Sequence, residues 1–200
     1  EPKLSGKRSR WLGNKISMEE ALIKKDTANE LADGIKGKVL LPLDDGYEAA
    51  RKVWNGMIDR KPEIIVRCAG ASDVISSVHF ARAHDLIVAV RGGGHNAAGN
   101  AVCEGGLVVD LSQMKGFEID LKESTAQAES GMTWGEFDQK TQVFGLATTG
   151  GVVSTTGIAG LTLGGGIGRL GRKYGLACDN LLSADIVVAD GRMLRVSETE

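Results

Sequence analysis

The segment LIVAVRGGGHNAAGNAVCEGG, residues 86–106, runs an apolar strand into three glycines and then a histidine. Gly92, Gly94 and Ala97 satisfy the G-x-G-x-x-A form of a dinucleotide fingerprint, and Asp110 closes a later strand as that reading asks. The fingerprint works only if a helix opens at its third position and turns its positive end to a pyrophosphate. Here Gly99, Gly105 and Gly106 interrupt the residues after it, and each glycine costs a helix interior about 1 kcal/mol. A second match, Gly166, Gly168 and Gly171, runs into Gly175 and the turn-forming Asp179-Asn180 and has the same defect. No G-x-x-x-x-G-K-[ST] occurs, which excludes a P-loop. Two glycine-rich loops remain, able to offer backbone N–H groups to an anion as nests with no helix behind them. They suit a cofactor that joins a pyrophosphate to a large planar ring.

The chain around these loops alternates strands and helices. EIIVRC (63–68), a helix from Ser72 with Val74, Ile75, Val78 and Ala81 on one face, and LIVAV (86–90) form a βαβ unit. GLVVDL (106–111), GFEID (116–120) and STAQAES (124–130) read as further strands. A helix begins after Thr133, where Thr133 and Glu136 make a capping box and Trp134, Phe137, Val143 and Phe144 form the apolar face. ADIVVAD (184–190) and MLRVS (193–197) pair around Asp190-Gly191 as a hairpin. Upstream, Ala50, Val53, Trp54 and Met57 recur at helical spacing and predict a helix over 47–58 that faces the core. Ser17 and Glu20 form a capping pattern ahead of Ala21, Leu22, Ile23 and Leu31. The expected class is α+β: a small βαβ subdomain followed by a second mixed sheet with flanking helices. Its division is an N-terminal extension over 1–38, then subdomains of about 39–111 and 112–200.

Composition narrows the function. A hydrophobic content of 42% in 200 residues supports a packed core, and a net charge of -2 leaves no basic footprint for nucleic acid. No apolar run is long enough to span a membrane and no secretory pattern is present, so a cytoplasmic location is the expectation. Cys68, Cys103 and Cys178 lack the paired spacing of a disulfide framework or a zinc site, and the three histidines are too few and scattered for a metal centre. Glycine is the outlier: of 28 in the chain, nine fall in the 22 residues from Gly150 to Gly171. Backbone that must approach something closely explains that density. By itself His95 keeps two readings, a local hydrogen-bonding residue of a glycine loop or a nucleophile toward a bound electrophilic ring.

VRGGGHNAAG, followed by LTLGGGIGRLGRKYGLACDNLLSADIVVADG, resembles the FAD-binding domain of the vanillyl-alcohol oxidase / p-cresol methylhydroxylase type. Within that type it is similar to the berberine-bridge-enzyme-like branch and its bacterial flavin oxidases. Several ordered motifs over roughly residues 40–200 carry the resemblance. It implies FAD as cofactor, Arg91, Gly92, Gly93, Gly94 and His95 as the loop around the pyrophosphate, and His95 as the residue bonded to the 8α carbon of the flavin. It implies Asn96, Gly99, Leu111 and Ser112, beside that loop, as further cofactor-binding residues. Gly157, Gly160, Leu161, Gly164, Gly165, Gly166 and Gly168 are placed along the flavin and its phosphates, and Asp179, Asn180 and Val187 toward the ribityl-to-adenosine side. Where some members carry a second flavin link through cysteine, this chain has Val153 or Ser154, so a single attachment is implied. The implied activity is hydride transfer from a small organic substrate to flavin, with dioxygen or another electron acceptor reoxidising it. The family's substrate domain, and with it any catalytic base, is expected to lie outside these residues. A β-branched residue at Gly93 or Gly165 is expected to lower FAD content by obstructing close approach.

Overall fold

The computed structural model describes residues 28–199; the capping pattern at Ser17 and Glu20 lies outside them. Helix α1, described over 28–33, contributes Ala28 and Leu31 to the core. Strand β1 (Lys38–Leu40), helix α2 (Tyr47–Arg51), β2 (Ile64–Arg67), α3 (Ala71–Ala83), β3 (Val88–Arg91) and β4 (Leu107–Asp110) come next. The four strands form one sheet in the order β1-β2-β4-β3, with β1 antiparallel to β2 and with β2 and β3 both parallel to β4. The βαβ unit is therefore interleaved: α3 carries the chain past a gap that β4 later fills.

Alternation decides the packing. Ile64, Val66, Leu107 and Val109 face one core with α1 and Val74 and Phe80 of α3; Ile65, Val108 and Ala89 face the other with Leu40, Tyr47 and Ala50. Coverage on both faces is why β2 and β4 read as unbroken apolar runs.

After β4 come the hairpin β5 (Phe117–Asp120) and β6 (Thr125–Ala128), helix α4 (Trp134–Gln142), short helices α5 (Ile158–Leu163) and α6 (Gly171–Tyr174), and the hairpin β7 (Ser183–Val187) and β8 (Met193–Ser197). The class is mixed α and β as expected, but the later strands make two separate antiparallel ladders where one mixed sheet was expected. Each hairpin closes on its own turn, with α4 and the glycine-rich segment between them. Met132, Trp134, Ile158 and Ala177 form a further core, with Phe117, Phe137 and Leu161 packed on it. The β7–β8 hairpin docks on α3: Arg82 donates to the Ala189 carbonyl at 2.8 Å, and Gly191 lies against the His79 ring.

Three helical expectations need correction. The helix predicted over 47–58 stops at Arg51, and Lys52 is extended at φ -69° and ψ 136°. Arg51 is held by Glu48, Asp59 and the Arg60 carbonyl, while the Trp54 N–H donates to Gly94 O at 3.0 Å. Trp54 and Met57, expected in the core, are exposed. In the second case, the stretch read as glycine loop contains α5, anchored by Ile158 and Leu161 in the second core. Val143 and Phe144, assigned to the apolar face of α4, fall just past its end and are exposed.

Candidate functional site

Parallel strands bring their carboxyl ends to a common edge, where α/β folds place ligands. At that edge Arg67, Asp110 and Arg91 stand side by side across β2, β4 and β3. Asp110 is buried, with Arg67 Nε 3.6 Å away and its Oδ1 accepting from the Ser112 N–H at 3.0 Å. Leu111 N–H donates to Arg91 O at 2.8 Å, which sets Leu111 and Ser112 beside the start of the glycine loop. One Arg91 nitrogen donates to the Ala50 carbonyl, while its buried Nε has no hydrogen-bond partner.

The loop itself makes few bonds. Among the described residues, the backbone N–H groups from Gly92 to Asn96 donate to no other backbone carbonyl or side chain. A run of free N–H donors beside an arginine is receptive to an anion. Beyond it Asn96 closes its own turn, its carbonyl accepting from Gly99 N–H and its Oδ1 from Asn100 N–H, each at 3.0 Å.

The second loop is pinned from the other side. Thr133 caps α4, its side chain accepting from the Glu136 N–H, while Glu136 Oε2 accepts from the Thr133 N–H at 2.7 Å. Burial works against ionisation of Glu136, but Lys115 and Thr133 outweigh it and hold the carboxyl below its ordinary range. The capped residues pair with the chain ahead of α5: Trp134 N–H donates to Thr156 O at 2.9 Å and Ile158 N–H to Met132 O at 3.0 Å. Gly157 is thereby pressed onto Gly93. A Cβ built on Gly93 would fall on Gly157 N and 2.7 Å from its Cα. A side chain at Gly93 is thus already excluded by the second protein loop.

His95 lies where these loops meet. Its half-buried ring stacks on Trp54, with centroids 5.6 Å apart and planes at 20°. Its Nε2 is 3.2 Å from Thr155 Oγ1 and its Nδ1 is 3.5 Å from Thr156 Oγ1. Sequence reasoning missed these three neighbours. Asn55-Gly56, a turn dipeptide directly after Trp54, was the available sign that the helix pattern ends there.

The remaining candidates divide. Gly160, Leu161 and Gly164 sit on or at the end of α5, and Gly166 and Gly168 come after it, with Gly168 packed on the Gly150 backbone. The turn at 178–180 hooks onto this segment, since Ala177 N–H donates to Gly166 O and Cys178 N–H to Gly165 O, each at 2.9 Å. Asp179 accepts from the Leu176 N–H and Asn180 donates to the Tyr174 and Leu176 carbonyls, so both side chains serve their own loop. Val187 lies on β7 opposite Met193, in the hairpin that packs on α3. Cys68 and Cys103 are buried free thiols, and burial pushes the Cys68 thiol up to about 12.

The free N–H row, the arginine and the imidazole fit a diphosphate joined to an electrophilic ring. Comparison with known proteins agrees with that chemistry. An FAD binding domain family model matches residues 62–197. The chain is 40% identical over 166 residues to (R)-6-hydroxynicotine oxidase of Paenarthrobacter nicotinovorans, covering 83% of this chain and 36% of that protein. The crystal structure of 6-hydroxy-D-nicotine oxidase from Arthrobacter nicotinovorans superposes with a TM-score of 0.81 at 40% identity, over 83% of this chain and 37% of that one. A BBE-like protein of Physcomitrella patens superposes equally well, at 0.81 and 29% identity, over 87% of this chain and 37% of that one. The chain thus spans little more than a third of these relatives. It belongs to the FAD-binding domain family, and FAD is its cofactor.

Proposed function

We propose that the whole protein is an FAD-dependent oxidoreductase that holds its flavin covalently through His95 alone. Bound FAD supplies a two-electron acceptor for hydride from a small organic substrate, and dioxygen or another acceptor then takes the electrons. The observation that carries the reading is the placement of the His95 imidazole at the meeting of two loops, beside a row of free N–H donors at the carboxyl end of β3.

In this reading the N–H groups of Gly92 to Asn96 receive the diphosphate, and Arg91 provides positive charge behind them. The segment from Gly157 to Gly168 lines the flavin. Asp179 and Asn180 act through the turn they build, and Val187 through its strand. We read the chain as an N-terminal extension (1–38) and two subdomains (about 39–111 and 112–200), with substrate recognition and the catalytic base supplied by a substrate domain outside it. A cytoplasmic setting remains part of the proposal; among the described residues no helix is long and apolar enough to cross a membrane.

The test is acid precipitation of the full-length protein and of His95→Ala. Yellow colour is expected in the pellet of the first and in the supernatant of the second; colour wholly in the supernatant for the unmutated protein overturns covalent attachment. The alternative reading is a flavin-binding module or subunit without catalysis of its own. It predicts flavin loading with no substrate-dependent bleaching by the full-length polypeptide.

A further inference from the structure

We propose that Thr155 and Trp54 are positioning residues for flavin attachment: Trp54 fixes the plane of the His95 ring, and Thr155 fixes its tautomer so that Nδ1 is the bonding atom. The inference rests on the proposed His95 linkage.

A neutral imidazole has one N–H and one lone pair, and only the nitrogen with the lone pair can form a bond to carbon. Which nitrogen that is depends on the hydrogen bond made by the other. In this structure both nitrogens face a threonine hydroxyl, but unequally. Thr155 Oγ1 lies 3.2 Å from Nε2, within good hydrogen-bond range, whereas Thr156 Oγ1 is 3.5 Å from Nδ1, at its limit. A hydroxyl can donate or accept; in this proposal Thr155 Oγ1, at the shorter contact, is the acceptor of an Nε2–H. Nδ1 keeps its lone pair and has only a weak contact to give up.

Trp54 supplies the second constraint. Its indole lies nearly parallel to the imidazole, and its backbone N–H donates to Gly94 O at 3.0 Å, so the platform is tied to the loop that carries the histidine. Trp54 and Thr155 are both exposed, so neither position is explained by burial in a core.

In the attachment step Nδ1 forms a bond to the 8α carbon, which gives up one C–H hydrogen. The C–H proton and two electrons pass to the flavin, while the imidazole proton leaves; dioxygen, with one proton from solvent, then reoxidises the flavin and departs as hydrogen peroxide. The Nε2–H becomes acidic as Nδ1 is alkylated, and Thr155 Oγ1 is placed to hand its proton to solvent.

The experiment reconstitutes full-length apoprotein with FAD and tracks, over time, the fraction of flavin that stays with the acid-denatured polypeptide. Non-covalent binding is measured in parallel by quenching of flavin fluorescence. Thr155→Val is expected to slow covalent incorporation at least tenfold with binding unchanged, and Thr155→Ser to restore it. Trp54→Leu is expected to slow it similarly, and Trp54→Phe to recover most of the rate. Incorporation by Thr155→Val and Trp54→Leu at the unmutated rate overturns the positioning roles and leaves the His95 linkage standing. Complete release of flavin by the unmutated protein overturns both. Digestion of the loaded protein to a flavin-bearing peptide, with assignment of the linked nitrogen by NMR, reads the tautomer directly: linkage at Nε2 overturns the Thr155 role.

Discussion

Gly93 and Gly157 pass each other with no room for a side chain on either: a Cβ on one falls on the backbone nitrogen of the other. Valine at Gly93 must push the loops apart, an overpacking cost of about 2 kcal/mol or more. We expect Gly93→Val to lower the melting temperature of the apoprotein with no FAD present, and to lower flavin content as a consequence. An unchanged apoprotein melt with reduced flavin would move the crowding from the loop contact to the cofactor.

Gly165 is glycine for another reason. The nearest atom to an added Cβ is Leu176 Cδ1 at 3.8 Å, so space is open, but the backbone has φ +105°, which side chains rarely adopt. Gly165→Ala should cost about 1–2 kcal/mol through backbone strain alone. Calorimetry of the apoprotein should rank it milder than Gly93→Val.

Thr133 holds both α4 and the approach to Gly157. Thr133→Ala removes one half of the capping box and should destabilise the fold by about 1 kcal/mol. Hydrogen exchange should report the further effect, faster exchange at the Trp134 and Ile158 amides that pair across to Thr156 and Met132.

Asp73 gives the fold an acid limit. Its carboxylate is buried and accepts from the backbone N–H groups of Lys36 (3.0 Å), Gly37 (2.9 Å) and Ala69 (2.8 Å). Burial opposes ionisation, yet the three donors outweigh it and hold the group below its ordinary value of 3.8. A carboxyl depressed in the folded state contributes stability that is complete above the unfolded value and is lost as pH falls through the folded one. Denaturant titrations should therefore show stability dropping below pH 3.8, with a shallower drop for Asp73→Asn. At neutral pH that variant should lose about 2 kcal/mol, the weight of hydrogen bonds to a charged group.

The features legible in the sequence were local. The β2 and β4 runs announced strands because both sheet faces are covered, and the box of Thr133 and Glu136 announced a helix start because cap chemistry is contained in four residues. The failed Rossmann reading was legible too: no helix comes after His95, and the nearest elements are turns. The hidden features depended on distant partners. Trp54 kept helical spacing with Ala50, but its N–H is taken by Gly94 and its ring by His95. The reason for glycine at 93 could not be read without Gly157 beside it.

His95 and Thr155, which meet between the two loops, are 60 residues apart in the chain. A nascent polypeptide halted before Thr155 already carries His95, with Trp54 as its one aromatic neighbour and neither hydroxyl yet made. Under the proposed attachment, the histidine gains both hydroxyl partners only once the second loop has been made and has closed against the first.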